Sequence, residues 1–204
     1  MTLDLDEAKV ERNEFGLWLG WTLATAGGML LGFLLTIPLV NVLDLGFARL
    51  IVPILAGILI GYSQWIVLRQ YLTLTTRSEW FLADGTSWAA GYALGLLLIQ
   101  NLPSTILGSI LAYILFGTIV ALVQWPVLRR EIPSTLTWIV VSALGWAAGL
   151  WASQLALDLF FNDPVIEPVV STIVIAVTSG LVAGAITGVG LVWIVRQPEK
   201  LEPA

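Results

Sequence analysis

Three stretches of the chain share one ending: AGILIGYSQWIVLRQ at residues 56–70, FGTIVALVQWPVLRR at 116–130 and AGAITGVGLVWIVRQ at 183–197. Aligned without gaps on Arg69, Arg129 and Arg196, they bring Gly57, Gly117 and Gly184 into register, and four residues on Gly61, Ala121 and Gly188. An apolar run that stops at Arg has the composition of a helix leaving a bilayer. Lipid gives helices no hydrophobic drive to associate, so close backbone approach over small residues supplies the contact. The three small-residue pairs therefore read as helix-packing faces. A weaker pattern, Trp-x4-Ala-x-Gly, precedes each ending, at Trp21/Ala26/Gly28, Trp88/Ala93/Gly95 and Trp138/Ala143/Gly145. Each unit is then an αα-hairpin, and self-similarity at this scale marks a repeat architecture. The expectation is an all-α integral membrane protein of six transmembrane helices, three hairpin repeats with pseudo-three-fold symmetry.

Charge gaps set the boundaries. The chain has 204 residues, 58% hydrophobic and 11% charged, with a mean hydropathy of +0.91. Soluble domains carry roughly a quarter charged residues, so a water-soluble fold is excluded. A spanning helix needs about 20 mostly apolar residues. Uncharged runs lie between Glu14 and Asp44, between Arg49 and Arg69, at 85–128, at 132–157 and at 168–195. The third is too long for one span and divides at Gln100-Asn101-Leu102-Pro103-Ser104, where proline removes a backbone donor. Residues 1–14 thus read as a cytoplasmic tail, 15–69 as hairpin 1 and 70–87 as a cytoplasmic connection. Residues 88–130 read as hairpin 2, 131–197 as hairpin 3 and 198–204 as a second cytoplasmic tail; the third helix, short when counted from Thr86 to Asn101, either borrows Trp80–Leu82 or sits shallow. The amino terminus lacks a basic signal region, so no cleaved presequence is expected.

Orientation follows from the basic residues. With the amino terminus inside, Lys9, Arg12, Arg69, Arg77, Arg129, Arg130, Arg196 and Lys200 are cytoplasmic and Arg49 alone is outside. That asymmetry in short loops is the positive-inside pattern, and it places both termini in the cytoplasm.

Few residues offer chemistry. There is no Cys and no His, which removes disulfides, thiolate and imidazole metal sites and the usual neutral-pH proton shuttle. A net charge of −5 argues against a nucleic-acid partner. Phosphate-loop, serine-elbow and metalloprotease motifs are missing, so neither an enzyme nor a metal site is expected. Asp158, Asp163 and Glu167 outside and Glu79 and Asp84 inside read as solvated loop residues. Polar side chains at membrane depth are the remaining signal. Gln64 and Gln124 lie five residues before Arg69 and Arg129, about 7–8 Å deeper along the axis at 1.5 Å per residue. Each bonds a neighbouring helix, or ligates a lipid headgroup or pigment. Leu191 at the third position rules out a strictly three-fold ligand set. The candidate lipid- or pigment-binding residues are accordingly Gln64, Trp65, Arg69, Gln124, Trp125, Arg129, Trp193 and Arg196.

The QWIVLR and QWPVLR endings and the closing ITGVGLVWIVRQP resemble those of small multi-pass membrane proteins common in cyanobacteria. The resemblance covers the repeat ends and implies no activity. It implies a plasma or thylakoid membrane of a photosynthetic bacterium. Three helix pairs also resemble the core antenna proteins of photosynthesis, which hold chlorophyll chiefly through His; without His the likeness concerns shape alone.

Two functions follow as expectations. The first is a non-catalytic accessory or scaffold subunit of a larger, photosynthetic membrane assembly that holds pigment or lipid. Its partners would be membrane lipids and other membrane proteins or further copies of itself, and chlorophyll or carotenoid would be its candidate cofactors. The second is a transporter or channel for an uncharged or lipophilic solute. A closely packed axis favours the first and a hydrated cavity the second.

Overall fold

A computed structural model describes residues 13–42, 45–72, 77–101, 106–130, 136–160 and 168–196. The tails, the connection at 161–167 and the side chains of Arg49, Arg77, Gln100 and Asn101 lie outside the described residues. Six helices form: α1 (Glu14–Val42), α2 (Leu45–Leu68), α3 (Arg77–Asn101), α4 (Ile106–Leu128), α5 (Leu136–Phe160) and α6 (Pro168–Val195). No strand occurs among the described residues. Five helices are long and apolar enough to cross a membrane; α3, which carries Glu79 and Asp84, is the exception. Pro168 opens α6 at a first-turn position that needs no backbone donor. The proline-bearing stretch after Asn101 separates α3 from α4 as the sequence predicts.

Backbone contacts among the described residues join each helix to its chain neighbours and α6 to α1, closing a ring of six. The odd helices α1, α3 and α5 do not touch one another through their backbones, yet their aromatic side chains meet inside the ring. Trp21 of α1 packs edge-on against Trp80 of α3 and Trp138 of α5, with centroids 6.2 and 5.7 Å away. Deeper along the axis, Trp88 meets Trp146 at 5.3 Å and Phe116 at 5.1 Å, with Met29, Ile60 and Val120 completing the layer. Edge-to-face geometry matches ring edge to ring face, and the two layers fill the axis. Leu19, Leu23, Leu31 and Leu35 of α1, Leu111 and Leu122 of α4 and Leu144, Trp151 and Leu155 of α5 face outward. An apolar surface of this extent suits hydrocarbon, not water.

Small residues let the even helices close on the odd ones. A methyl group on Gly57 would lie 2.6 Å from the Asp84 carbonyl oxygen and 2.9 Å from Gly85 Cα. One on Gly117 would lie 2.7 Å from the Ser142 carbonyl oxygen and 2.8 Å from Ala143 Cα. One on Gly61 would meet Asp84 Cβ at 2.7 Å, and one on Gly184 would meet Thr22 Cα at 2.9 Å. Gly188 faces Trp18 and Trp21, and Ala121 is fully buried.

Two sequence expectations need correction. Helix α3 begins at Arg77, so Glu79 and Asp84 are helical, and the connection expected at 70–87 is far shorter. Reading helices as gaps between charges placed the helix start after Asp84, but a carboxyl with a partner inside the bundle does not end a helix. Trp80, not Trp88, is therefore the residue that joins Trp21 and Trp138. Trp88 lies two turns on with Trp146, and among the described residues nothing lies within 4 Å of a methyl group built on Gly95.

Packing at Gly117 and the open space at Gly95 make a paired test. Gly117→Ala is expected to cost about 1–3 kcal/mol through overpacking, while Gly95→Ala leaves stability unchanged or slightly raised. Unfolding in mixed micelles with increasing SDS measures both.

Candidate functional site

The two layers are separated by a ring of polar side chains drawn from all six helices. Gln64 and Gln124, expected at the cytoplasmic ends of α2 and α4, are 3% and 2% exposed. They point into the bundle because they share a helical face with Gly57/Gly61 and Gly117/Ala121, the face that meets the odd helices. A buried amide needs partners. Gln64 Nε2 donates to Thr25 Oγ1 at 3.0 Å. Gln124 Nε2 donates to Asp84 Oδ1, and its Oε1 accepts from Trp138 Nε1 at 2.9 Å. Trp21 Nε1 donates to Thr187 Oγ1 at 2.9 Å. The two threonines also donate to their own helices, Thr25 to the Trp21 carbonyl at 2.9 Å and Thr187 to that of Ala183 at 2.7 Å. Among the described residues, four buried atoms of this layer have no hydrogen-bond partner: Gln64 Oε1, Trp80 Nε1, Asp84 Oδ2 and Ser142 Oγ.

Asp84, Thr25, Ser142 and Thr187 escaped the sequence reading, although a signal was present. Trp80-x3-Asp84-Gly85 repeats the spacing of Trp21-x3-Thr25-Ala26 and Trp138-x3-Ser142-Ala143. Thr187 was hidden by anchoring the third copy on Arg196. Helix α6 runs one turn further before its arginine, so Gly180 packs on Ala26 Cα and Gly184 on Thr22 as Gly57 and Gly61 pack on α3. Leu191 is then buried with Leu68 and Leu128 in one cluster. Thr187 stands where Gln64 and Gln124 stand.

The remaining candidates form a separate rim in which Arg69, Arg129, Trp193 and Arg196 are exposed and Trp65 and Trp125 are half-buried. The Arg69 guanidinium lies 4.9 Å over the Trp65 ring, and that of Arg129 lies 4.7 Å over Trp125, within cation–π range. Arg196 donates from Nε and a terminal nitrogen to both carboxylate oxygens of Glu14, tying the end of α6 to the start of α1. That hydrogen bonding raises the guanidinium's pKa above its ordinary value. Arg130 pairs with Glu79. Trp193, 47% exposed, joins Glu14, Phe15, Trp18, Val189, Val192 and Arg196 around an open groove of about 330 Å³. The amides and the arginines thus belong to two places, one inside the bundle and one at its edge. The chain matches no family model, no curated protein and no solved structure.

The two glutamines differ in what they hold. Gln64→Leu releases only Thr25, which keeps its own-helix bond, and is expected to cost about 0.6 kcal/mol. Gln124→Leu strands both Asp84 and Trp138 and is expected to cost about 1–3 kcal/mol. Denaturant titration of the two single variants in one lipid or micelle system measures the difference.

Proposed function

We propose that the chain is a non-catalytic accessory or scaffold subunit of a larger membrane assembly. In this reading it is built as three αα-hairpin repeats around a pseudo-three-fold axis and crosses the membrane six times with both termini cytoplasmic. The filled axis carries the functional reading: two layers of large side chains occupy the space a solute path would need. The repeat reading is supported by contacts at matched positions. Gly57 meets Asp84, Gly85 and Trp88; Gly117 meets Ser142, Ala143 and Trp146. Gln64 bonds Thr25 as Gln124 bonds Asp84. With α3 the sixth member of such a ring, Asp84 and Ser87 face the interior, so modest apolarity suffices for it to cross.

The rim is where lipid would be held. The planar guanidiniums of Arg69 and Arg129, each stacked on an interfacial tryptophan, present donors to anionic headgroup phosphates. The Trp193–Arg196 groove offers a third such position. A pigment would bind the outer surface, since the axis is occupied. The plasma or thylakoid membrane of a photosynthetic bacterium is proposed on the resemblance of the repeat ends alone.

Tagged protein taken from its native membranes in mild detergent tests the assignment. The expected result is a stoichiometric membrane-protein partner that remains through size-exclusion chromatography. A lone chain that speeds the efflux of an uncharged solute from sealed vesicles would overturn it.

A further inference from the structure

Asp84 is the one ionisable side chain in the polar layer described above. It is 1% exposed and sits between α2 and α4. Its Oδ1 accepts from the Gln124 amide, while Oδ2 has no hydrogen-bond partner. A methyl group on Gly61 would lie 2.8 Å from Oδ2, so the second oxygen is pressed against the α2 backbone. Among the described residues, no charged side chain of the packed elements faces it. On α2, Arg69 stacks on Trp65 and Tyr62 is exposed; on α4, Arg129 stacks on Trp125, and Arg130 just beyond the helix pairs with Glu79. On α1, Glu14 is held by Arg196, and Asp158 of α5 is exposed at the far end of its helix.

Packing does not account for a carboxyl here. Thr25 accepts the Gln64 amide with a hydroxyl, and a hydroxyl at position 84 would serve Gln124 equally. A lone carboxylate buried away from counter-charge is costly by several kcal/mol, so the group holds a compensating cation. A dehydrated metal ion needs several oxygen ligands and a cavity to hold them, whereas Oδ2 lies directly against Gly61. A proton requires no cavity.

We infer that Asp84 is a proton-binding site of the bundle, carrying its proton on Oδ2 at neutral pH. Glycine at 61 leaves only α2 backbone against the carboxyl. Gln124 links it to Trp138, so gain or loss of the proton acts directly on α3, α4 and α5. This inference does not depend on the scaffold reading.

Infrared difference spectra of the full chain in lipid, wild type against Asp84→Asn, test it. The expected spectrum at neutral pH shows a carboxylic-acid carbonyl band that shifts in heavy water and is absent from the variant. A second readout is stability against pH. A folded state that binds one more proton than the unfolded state loses up to ~tenfold in its folding constant per pH unit as pH rises. Wild type should show that loss as pH rises from the ordinary carboxylate range of ~4 through neutrality, and Asp84→Asn should not. If Asp84→Asn does not fold, Asp84→Thr, which supplies the hydroxyl found at Thr25, replaces it. Carboxylate bands in place of the acid band at neutral pH, or equal pH slopes in wild type and variant, overturn the proposal.

Discussion

Three tryptophans meeting on one axis constrain everything else in this bundle. Trp21, Trp80 and Trp138 are almost wholly buried, and each reaches the centre from an odd helix. Indoles of that size hold α1, α3 and α5 apart, so the even helices must fill the gaps between them. They can do so only where they carry no side chain on the facing side. Gly57, Gly117 and Gly180 occupy those places, with backbone or Cβ atoms of α3, α5 and α1 within 3 Å of where a methyl would stand. Dispersion over these seams replaces the hydrophobic drive that lipid does not provide.

The same tryptophans create the polar layer. An indole N–H inside an apolar bundle requires an acceptor. Gln124 supplies one to Trp138 and Thr187 supplies one to Trp21, while the Trp80 N–H has none among the described residues. Each acceptor is in turn oriented by a second bond, Gln124 through Asp84 and Thr187 through the Ala183 carbonyl. The layer therefore couples neighbouring helices around the ring rather than along any single one. Asp84 stands apart in it, since its neighbours in role are hydroxyls that cannot carry charge.

Much of the fold was legible because its rules are one-dimensional. Helix number, the break after Asn101 and the small-residue faces of α2 and α4 follow from apolar length, proline and glycine spacing. The start of α3 was not legible from charge gaps, because one oxygen of Asp84 is bonded by a residue 40 positions away. The burial of Gln64 and Gln124 could be stated only as one of two alternatives, since a sequence gives the depth of a residue but not the direction its side chain faces. Thr187 was masked by an extra turn before Arg196, which a gapless alignment cannot accommodate. For Asp84 and the two glutamines the missing fact was a contact between helices; for Thr187 it was the length of α6.

Ring closure by α1 on α6 is the central claim, and the Glu14–Arg196 pair marks it at an exposed position. The chain contains no cysteine, so Glu14→Cys/Arg196→Cys places the only two thiols in the protein at that seam. Treatment of membranes with a short bis-maleimide, followed by mass analysis, reports whether one chain bridges itself. The closed ring predicts an intramolecular bridge as efficient as that in Glu79→Cys/Arg130→Cys, whose sites join α3 to the end of α4. Bridging at the second pair with only single modification at the first would contradict it.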